Sequence, residues 1–509
     1  MADCSPEQSL NVDTDAFAAS RALFDSTADW LGGAEAAALD HTQLETQLQG
    51  RGRELMRALY QDSMHLRAVR ERPHSEVIDA DAVARTRAES GHSRALTTVF
   101  GEVSVSRKAY RAPRHTNLYP ADAQLNLPAG KHSHGLRRLA AIEAARGSFD
   151  DTAAAIDRNT GVALGERQAE QLAVAAAADF DDFCTQRTPP APGPGDPEHP
   201  PVLVCPVDGK GIVMRSDALR PATAKAASTA TTKLRTRLSR GEKRNRKRLA
   251  EVGAVYRVAP VPRSAADILD HSGQPRRRAP VAAGKWLTAS VTDDTATVIA
   301  AAPDEADRRD PDHQLTRIAL ADGNNHQIER INAEAAERGA GITVIVDFIH
   351  VLECLRKAAW CFHAEAGPAA ETWVKDKATA ILEGNARAVA AGIRRSATRK
   401  QLSTSQRAPA DVCAGCLTAE APYLNYPQAL RSGWPIAAGV IEGACRHLVK
   451  DRLDITGARW GLTSAEAILK LRALHSNNDF DTYWQYHLER EHHRVHRNRY
   501  LNNHIPAAA

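Results

Sequence analysis

The chain lacks any apolar run of about 18 residues or more, so no stretch of it reads as a membrane-spanning helix. It also lacks a secretory start. No Lys or Arg precedes Arg21, whereas a leader needs a basic beginning followed by an apolar stretch. The eight cysteines show no disulfide framework, and Cys354, Cys361 and Cys445 fall inside apolar helical patterns, so reduced thiols in a cytoplasmic protein are expected. Cys413 and Cys416 form a CxxC with no second pair at zinc spacing, which favours a structural role over a metal. No internal repeat is visible, which excludes solenoids and propellers. A strong overall charge is missing as well: the formal net charge is +4, too small to indicate a partner by itself.

What is present is an ordinary globular composition, 43% apolar and 25% charged, over 509 residues, enough for two to four domains. Positive charge is concentrated rather than abundant. Residues 233–248, KLRTRLSRGEKRNRKR, include Lys243, Arg244, Arg246, Lys247 and Arg248, and the end of the chain, HLEREHHRVHRNRYLNN, is rich in Arg and His. Such blocks neutralise phosphates, or else are simply solvated.

The first part, 1–130, reads as helical over 16–72, with Leu44, Leu48, Leu55, Leu59 and Leu66 forming one apolar stripe. That stripe fits either a second subunit or a helix hairpin within the chain. LTTVFGEVSVSRKAYR alternates as a β-hairpin over 95–111, with Gly101-Glu102 as its turn. Residues 131–187 give three helical stretches, the second starting at an N-cap, Ser148. This resembles a helix-turn-helix, with Arg167 on the exposed face, although plain three-helix packing competes with DNA binding there. A Pro-rich linker, 188–201, closes the N-terminal half.

Beyond the linker, residues 202–354 alternate strands and helices, with a basic insertion at 215–248. VLVCPVDGKGIVM is an apolar strand carrying one acid, Asp208, and a carboxylate placed there is costly unless paired or metal-bound. AEVGAVYRVAP and KWLTASV are further strands, TDDTATVIAAAPDEADRR is helical, RIALADG ends at Asp322, and GITVIVDFIHVLE is a strand ending at Asp347. Three strands, a helix, a strand, a helix and a strand is the order of an RNase H-like domain. In that layout the acids ending the first and fourth strands meet. Residues 355–430 read as a helical insertion. Within 431–480, Glu442, Arg446 and Lys450 share one helix face opposite Ile441, Ala444 and Leu448. That face offers a ligand beside two phosphate-binding cations, or an ordinary solvated ion pair. Residues 481–509 read as a basic tail. The fold expected is therefore multidomain α+β, with an RNase H-like mixed α/β core interrupted by helices and an N-terminal region of helices and a β-hairpin.

VDGKGIVM, ALADGNNHQ, VIVDFIHVLE, GWPIAAGVIEGACRHLVKDR and ITGARWGL occur in one joint order, with FGEVSVSRKAYR and NLYPADAQLNLP ahead of them. In this the chain resembles bacterial insertion-sequence transposases of the IS-Kra type, related to the Mutator-like and ISL-type DDE enzymes. The resemblance covers nearly the whole chain, but the Cys4 zinc ribbon of ISL-type relatives is missing.

The resemblance implies a metal-dependent transposase that cuts transposon ends and joins 3′-hydroxyls to target DNA. Its catalytic and metal-binding acids would be Asp208, Asp322 and Glu442, holding two Mg2+ or Mn2+ ions. Asp322 is preferred as second acid because it lies one strand before the Asp-x-x-His motif formed by Asp347 and His350, with Asp347 as its rival. Lys210, Arg446, Lys450 and Arg452 are candidates for gripping phosphate. Trp460 would stack on a base or pack in the core, and His350 would assist the chemistry or merely begin a helix. The partners implied are double-stranded DNA, as terminal repeats and target, and a second copy in a homodimer. The competing readings are an RNase H-like nuclease without strand transfer and a non-catalytic DNA-binding descendant.

Overall fold

The computed structural model describes residues 16–189, 201–229, 246–269, 277–455 and 457–507. Most of the Pro-rich linker and the basic stretch carrying Lys243 and Arg244 lie outside these residues. The chain is a mixed α/β protein, mostly helical, and divides into two compact units. One comprises the described residues up to Cys184 with those from Asp479 on; the other is Thr185–Asn478.

In the first unit a 30-residue helix, His41–Arg70, starts at Asp40, whose carboxylate accepts from Gln43 N at 2.8 Å while Gln43 reaches back to Asp40 N. The leucine stripe is not what this helix buries. Leu48 and Leu59 remain 39% and 36% exposed, while Ala58 and Met64 are buried. Met64 packs with Leu96, Val103, Val105 and Leu127, so the face that matters is set by the neighbouring hairpin rather than by heptad spacing. Helix Ala18–Gly32 lies alongside, where Ser20 N donates to Asp62 at 3.0 Å and Arg51 stacks on Trp30 at 4.2 Å.

Strands β1 (Val77–Ile78) and β2 (Ala84–Arg85) form a short antiparallel pair, and β3 (Arg87–Thr98) pairs with β4 (Gly101–Arg111). The long hairpin begins earlier than expected and turns at Val99-Phe100, not at Gly101-Glu102. The Thr98 hydroxyl closes the turn, accepting from Phe100 N and donating to Gly101 O.

Helices His134–Arg146, Phe149–Thr160 and Glu166–Ala176 enclose Leu136, Ala140, Ile156, Val162, Leu164 and Ala169. Ser148 caps the second as its sequence indicates, accepting from Asp151 N at 3.0 Å. The segment expected as a basic tail is instead a helix over Phe480–Val495 with its charges engaged. His487 and Arg494 hold Asp179, and Glu491 meets Arg137 at 2.6 Å.

The second unit is built on a mixed six-stranded sheet. Strands β5 (Val202–Val204) and β6 (Val207–Val213) run along one edge of β7 (Lys247–Val258) in one antiparallel register, interrupted at Cys205-Pro206. Strand β8 (Ala282–Ser290) takes the other edge of β7. Strand β9 (Arg317–Ala321) is parallel to β5, and β10 (Ile342–Val346) is parallel to β9. The spatial order is thus β8, β7, β5 with β6, β9, β10. Every residue of β9 is buried, as expected of a parallel strand covered on both faces. Leu203, Val255 and Trp286 pack against Ala302 and Ala306 of helix Thr295–Arg309, each large apolar side chain contributing about 1.5–3 kcal/mol on burial.

Helices Phe348–Ala359, Pro368–Leu382, Ala386–Arg399, Thr404–Ala419 and Tyr426–Arg431 follow β10. Their return to the sheet is pinned by backbone bonds. Val261 N donates to Gly433 O at 3.0 Å, Arg263 N to Leu430 O at 2.9 Å and Phe348 N to Ile436 O at 2.9 Å. Gly433 has φ +73°, and a Cβ there would lie 2.4 Å from Val261 N. Backbone cannot yield as a flexible side chain would. Gly433→Ala is therefore expected to lower unfolding free energy by about 2–4 kcal/mol, combining left-handed strain with overpacking. Urea unfolding of the full chain measures it, as an earlier loss of structure in the Thr185–Asn478 unit.

Candidate active site

The register of the sheet explains why distant acids meet. Val204 pairs with Ile318, and four residues further along each chain stand Asp208 on β6 and Asp322 just past β9. Ala321 pairs with Val346, so the residues that follow, Asp322 and Asp347, leave adjacent parallel strands at the same edge; Asp347 N donates to Ala321 O at 2.8 Å. Glu442 comes from helix Gly439–Ala444. All four acids line one cavity of about 180 Å3, together with His350 and Glu353.

Their surroundings concentrate negative charge. Burial pushes the Asp347 carboxyl above its ordinary range and the charge of Asp208 adds to this, against opposing hydrogen bonds from Ile349 N, at 2.9 Å, and Ala438 N. Asp347 is the N-cap of helix Phe348–Ala359 and also ties down the segment leading to Glu442. Glu442 is raised by burial, then by Asp347, Asp208 and Glu353. The Cys445 thiol donates to Asp208 at 3.3 Å and is itself held protonated, first by burial and then by that carboxylate. Among the described residues no Lys or Arg forms an ion pair with Asp208, Asp322, Asp347 or Glu442. Uncompensated carboxylates of this kind, with oxygen donors only, suit a hard divalent cation such as Mg2+ or Mn2+. The acids are not drawn tightly together: among the described residues the only trio of potential ligands closing within 4.8 Å is Asp79, Asp81 and His115, where Asp79 is already ion-paired to Arg85.

Two further carboxylates surround the site. Glu251, on β7, is buried; the Thr295 hydroxyl donates to one oxygen at 2.8 Å and the other has no partner. Burial raises it, with Asp208 and Asp322 adding to the effect. A lone acid in the apolar strand AEVGAVYRV was the same signal that marked Asp208. Glu420, at the end of helix Thr404–Ala419, reaches the loop after β9 from the helical insertion. A Cβ on Gly323, which has φ +84°, would lie 2.4 Å from its carboxylate. Nothing in the local sequence marks Glu420, because its approach depends on how the insertion docks.

The remaining candidates are dispersed. Lys210 is half-buried on β6, one turn of strand beyond Asp208. Cys445–Lys450 is a π-helical turn, the kind of irregularity often found at functional sites. Arg446 there is 78% exposed, 3.8 Å from Asp451, and Lys450 is exposed on the same side as Glu442, with Ile441, Ala444 and Leu448 buried opposite. Arg246 donates to Ser216, Lys247 lies 3.6 Å from Asp454, and Arg248 donates to Val291 O at 2.7 Å, so part of this basic run serves the strand edge. Arg167 is exposed on helix Glu166–Ala176 in the other unit.

Trp460 is not placed to stack on a base. It is 5% exposed, donates to Leu453 O at 3.0 Å, and lies under the buried guanidinium of Arg452, which is thereby removed from the phosphate-gripping set. His350 lines the cavity with Nε2 4.0 Å from the Cys354 thiol. The seven described cysteines are free; Cys413 is buried, and Cys354 and Cys416 share a thiol contact.

No protein-family model matches the chain, and no curated protein is significantly similar to it. No helix among the described residues is long and apolar enough to cross a membrane.

Burial, with the charge of Asp322, pushes Glu420 up to about 7; Cys354, Cys413, Cys416 and Tyr426 are its other titratable neighbours. Between the ordinary glutamate value and pH 7 the folded chain keeps a proton that the unfolded chain has released. Stability therefore falls as pH rises through that window and levels off above it. Glu420→Gln is expected to be more stable than wild type at pH 8 by on the order of 2–3 kcal/mol, with no gain at pH 4. Thermal melting at the two pH values, without added metal, measures the difference.

Proposed function

We propose that the chain is a DDE-type DNA transposase, an RNase H-like enzyme that cleaves at the ends of a mobile element and transfers the 3′-hydroxyls into target DNA. The observation that carries this reading is the single cavity lined by Asp208, Asp322, Asp347 and Glu442, acids supplied by four separated stretches of chain. The strand order, with β9 and β10 parallel to β5 on one side and β7 and β8 antiparallel on the other, supports the RNase H-like assignment. The helices between β10 and Gly439 correspond to the insertion expected before the third acid.

Asp208, Asp322 and Glu442 would hold the Mg2+ or Mn2+ ions. Bound there, such ions would polarise the phosphodiester and lower the pKa of the attacking hydroxyl, a water in cleavage and the 3′-hydroxyl in strand transfer. Asp322 is the more available of the two candidate second acids: it is half-exposed and, among the described residues, accepts only from Asn324 N, at 3.0 Å. Asp347 is committed to two backbone amides and acts as the positioning carboxylate, fixing the segment before Glu442. Cys445 holds one oxygen of Asp208 in place through its thiol. Lys210, Arg446 and Lys450 offer cations to the phosphates on either side of the scissile bond. The three-helix bundle carrying Arg167 would read the element's ends, and two copies would pair them.

Cleavage of labelled DNA carrying the element's own ends, with Mg2+ or Mn2+, tests the proposal. Asp208→Ala, Asp322→Ala and Glu442→Ala are each expected to lower the rate by about 10²–10³-fold or more. Asp347→Ala keeps measurable cutting but loses stability. Full activity in Asp208→Ala or Glu442→Ala overturns the mechanism, whereas a dead Asp347→Ala with an active Asp322→Ala exchanges their roles. Cutting without joining would leave a nuclease.

A further inference from the structure

We propose that the large groove next to the carboxylate cavity binds a single, unstacked DNA strand running to the scissile position, an inference that rests on the DNA-cleaving reading above. The groove has a volume of about 1370 Å3 and lies wholly within Thr185–Asn478. It adjoins the candidate active site. Ile349 lines both spaces, and Gly439 and Val440 line the groove just before Ile441 and Glu442 line the carboxylate cavity.

Its chemistry is divided between floor and rim. Tyr256, Val258, Phe348, Leu352, Ile436 and Val440 supply apolar surface. Around them stand six cations against three carboxylates, Asp267, Glu365 and Glu371. Arg263 and Arg277 are occupied by the carbonyls of Trp434 and Pro262. Arg278, Lys285 and Arg356 are exposed and have no carboxylate partner among the described residues. Trp360 is 49% exposed at the end of helix Phe348–Ala359, an indole face left in solvent beside those cations.

This combination selects among occupants. A duplex keeps its bases stacked inside and presents phosphate and sugar, so it gains nothing from an apolar floor. An apolar protein helix would match the floor but not the excess of positive charge. A single strand satisfies both, because its bases bury against apolar and aromatic surface while its phosphates meet the cations.

The test uses the full-length chain in EDTA, so that no cleavage intervenes, with a fluorescently labelled 15-nucleotide single strand and the matching duplex as probes. Anisotropy at several salt concentrations is compared for wild type, Trp360→Ala and the triple variant Arg278→Ala, Lys285→Ala, Arg356→Ala. The triple variant is expected to bind the single strand at least tenfold more weakly, with a salt slope smaller by about 2, since each single-strand phosphate contact contributes about 0.7. Trp360→Ala should weaken single-strand binding about fivefold or more without changing the slope. Duplex binding should change far less in both. A strand carrying 5-iodouracil should photo-cross-link to Trp360 in wild type.

Unchanged single-strand affinity in both variants, with melting temperatures like wild type, overturns the proposal and indicates that a protein segment or another copy uses the groove. Equal losses on duplex and single strand also overturn it. If the variants lose single-strand binding yet wild type shows no metal-dependent cutting, the groove stands and the transposase reading falls. The converse pattern removes the groove alone.

Discussion

The architecture of the second unit depends on one electrostatic constraint: four carboxylates line one small cavity, and among the described residues no Lys or Arg forms an ion pair with any of them. Asp347 and Glu442 are held above their usual range by burial and by the charge of Asp208, and Asp347 also pushes on Glu442. Partial exposure of Asp208, Asp322 and Glu442 lightens that cost, while the buried Asp347 offsets it with backbone hydrogen bonds. The supports are visible. The sheet register sets Asp208 level with Asp322, the backbone of the neighbouring strand fixes Asp347, and the pinned return of the helical insertion delivers Glu442. A divalent cation would turn a cost in stability into a binding site, since it relieves the repulsion that the fold sustains.

The helical insertion is part of this arrangement. Its far end supplies Glu420, which crosses to the Gly323 loop beside Asp322, and Tyr426, whose hydroxyl donates to Val346 O at 2.8 Å, one residue before Asp347. The insertion also walls the groove that opens beside the carboxylates. Acids, insertion and groove are therefore built from neighbouring elements of one unit.

Much of this was legible in the sequence, for identifiable reasons. The strands of the second unit could be read in order, with the acids that interrupt or end them, except that the first divides into β5 and β6 at Cys205-Pro206 and β7 starts at Lys247, within the stretch read as a basic insertion. Ser148 was legible because capping is local chemistry. The hairpin turn at Val99-Phe100 was misjudged because alternation shifts by two residues without leaving a trace in the pattern. The leucine stripe of His41–Arg70 marked an apolar face, but periodicity does not say which neighbour covers it, and within the chain the helix buries Ala58 and Met64 instead. Core packing of Trp460 was one of its two sequence readings, and Glu251 bore the same mark as Asp208, whereas the shelter Arg452 finds on Trp460 and the approach of Glu420 depend on tertiary docking that no single stretch of sequence displays.

Mn2+ binding to the full-length chain, followed by calorimetric titration at pH 8, shows whether the carboxylate cavity is the proposed divalent-cation site. A cation site there gives saturable binding that Mg2+ competes away and that disappears in Asp208→Asn combined with Glu442→Gln, while Asp79→Asn leaves it intact. Equal Mn2+ binding in wild type and the double variant, or none in wild type, would contradict it.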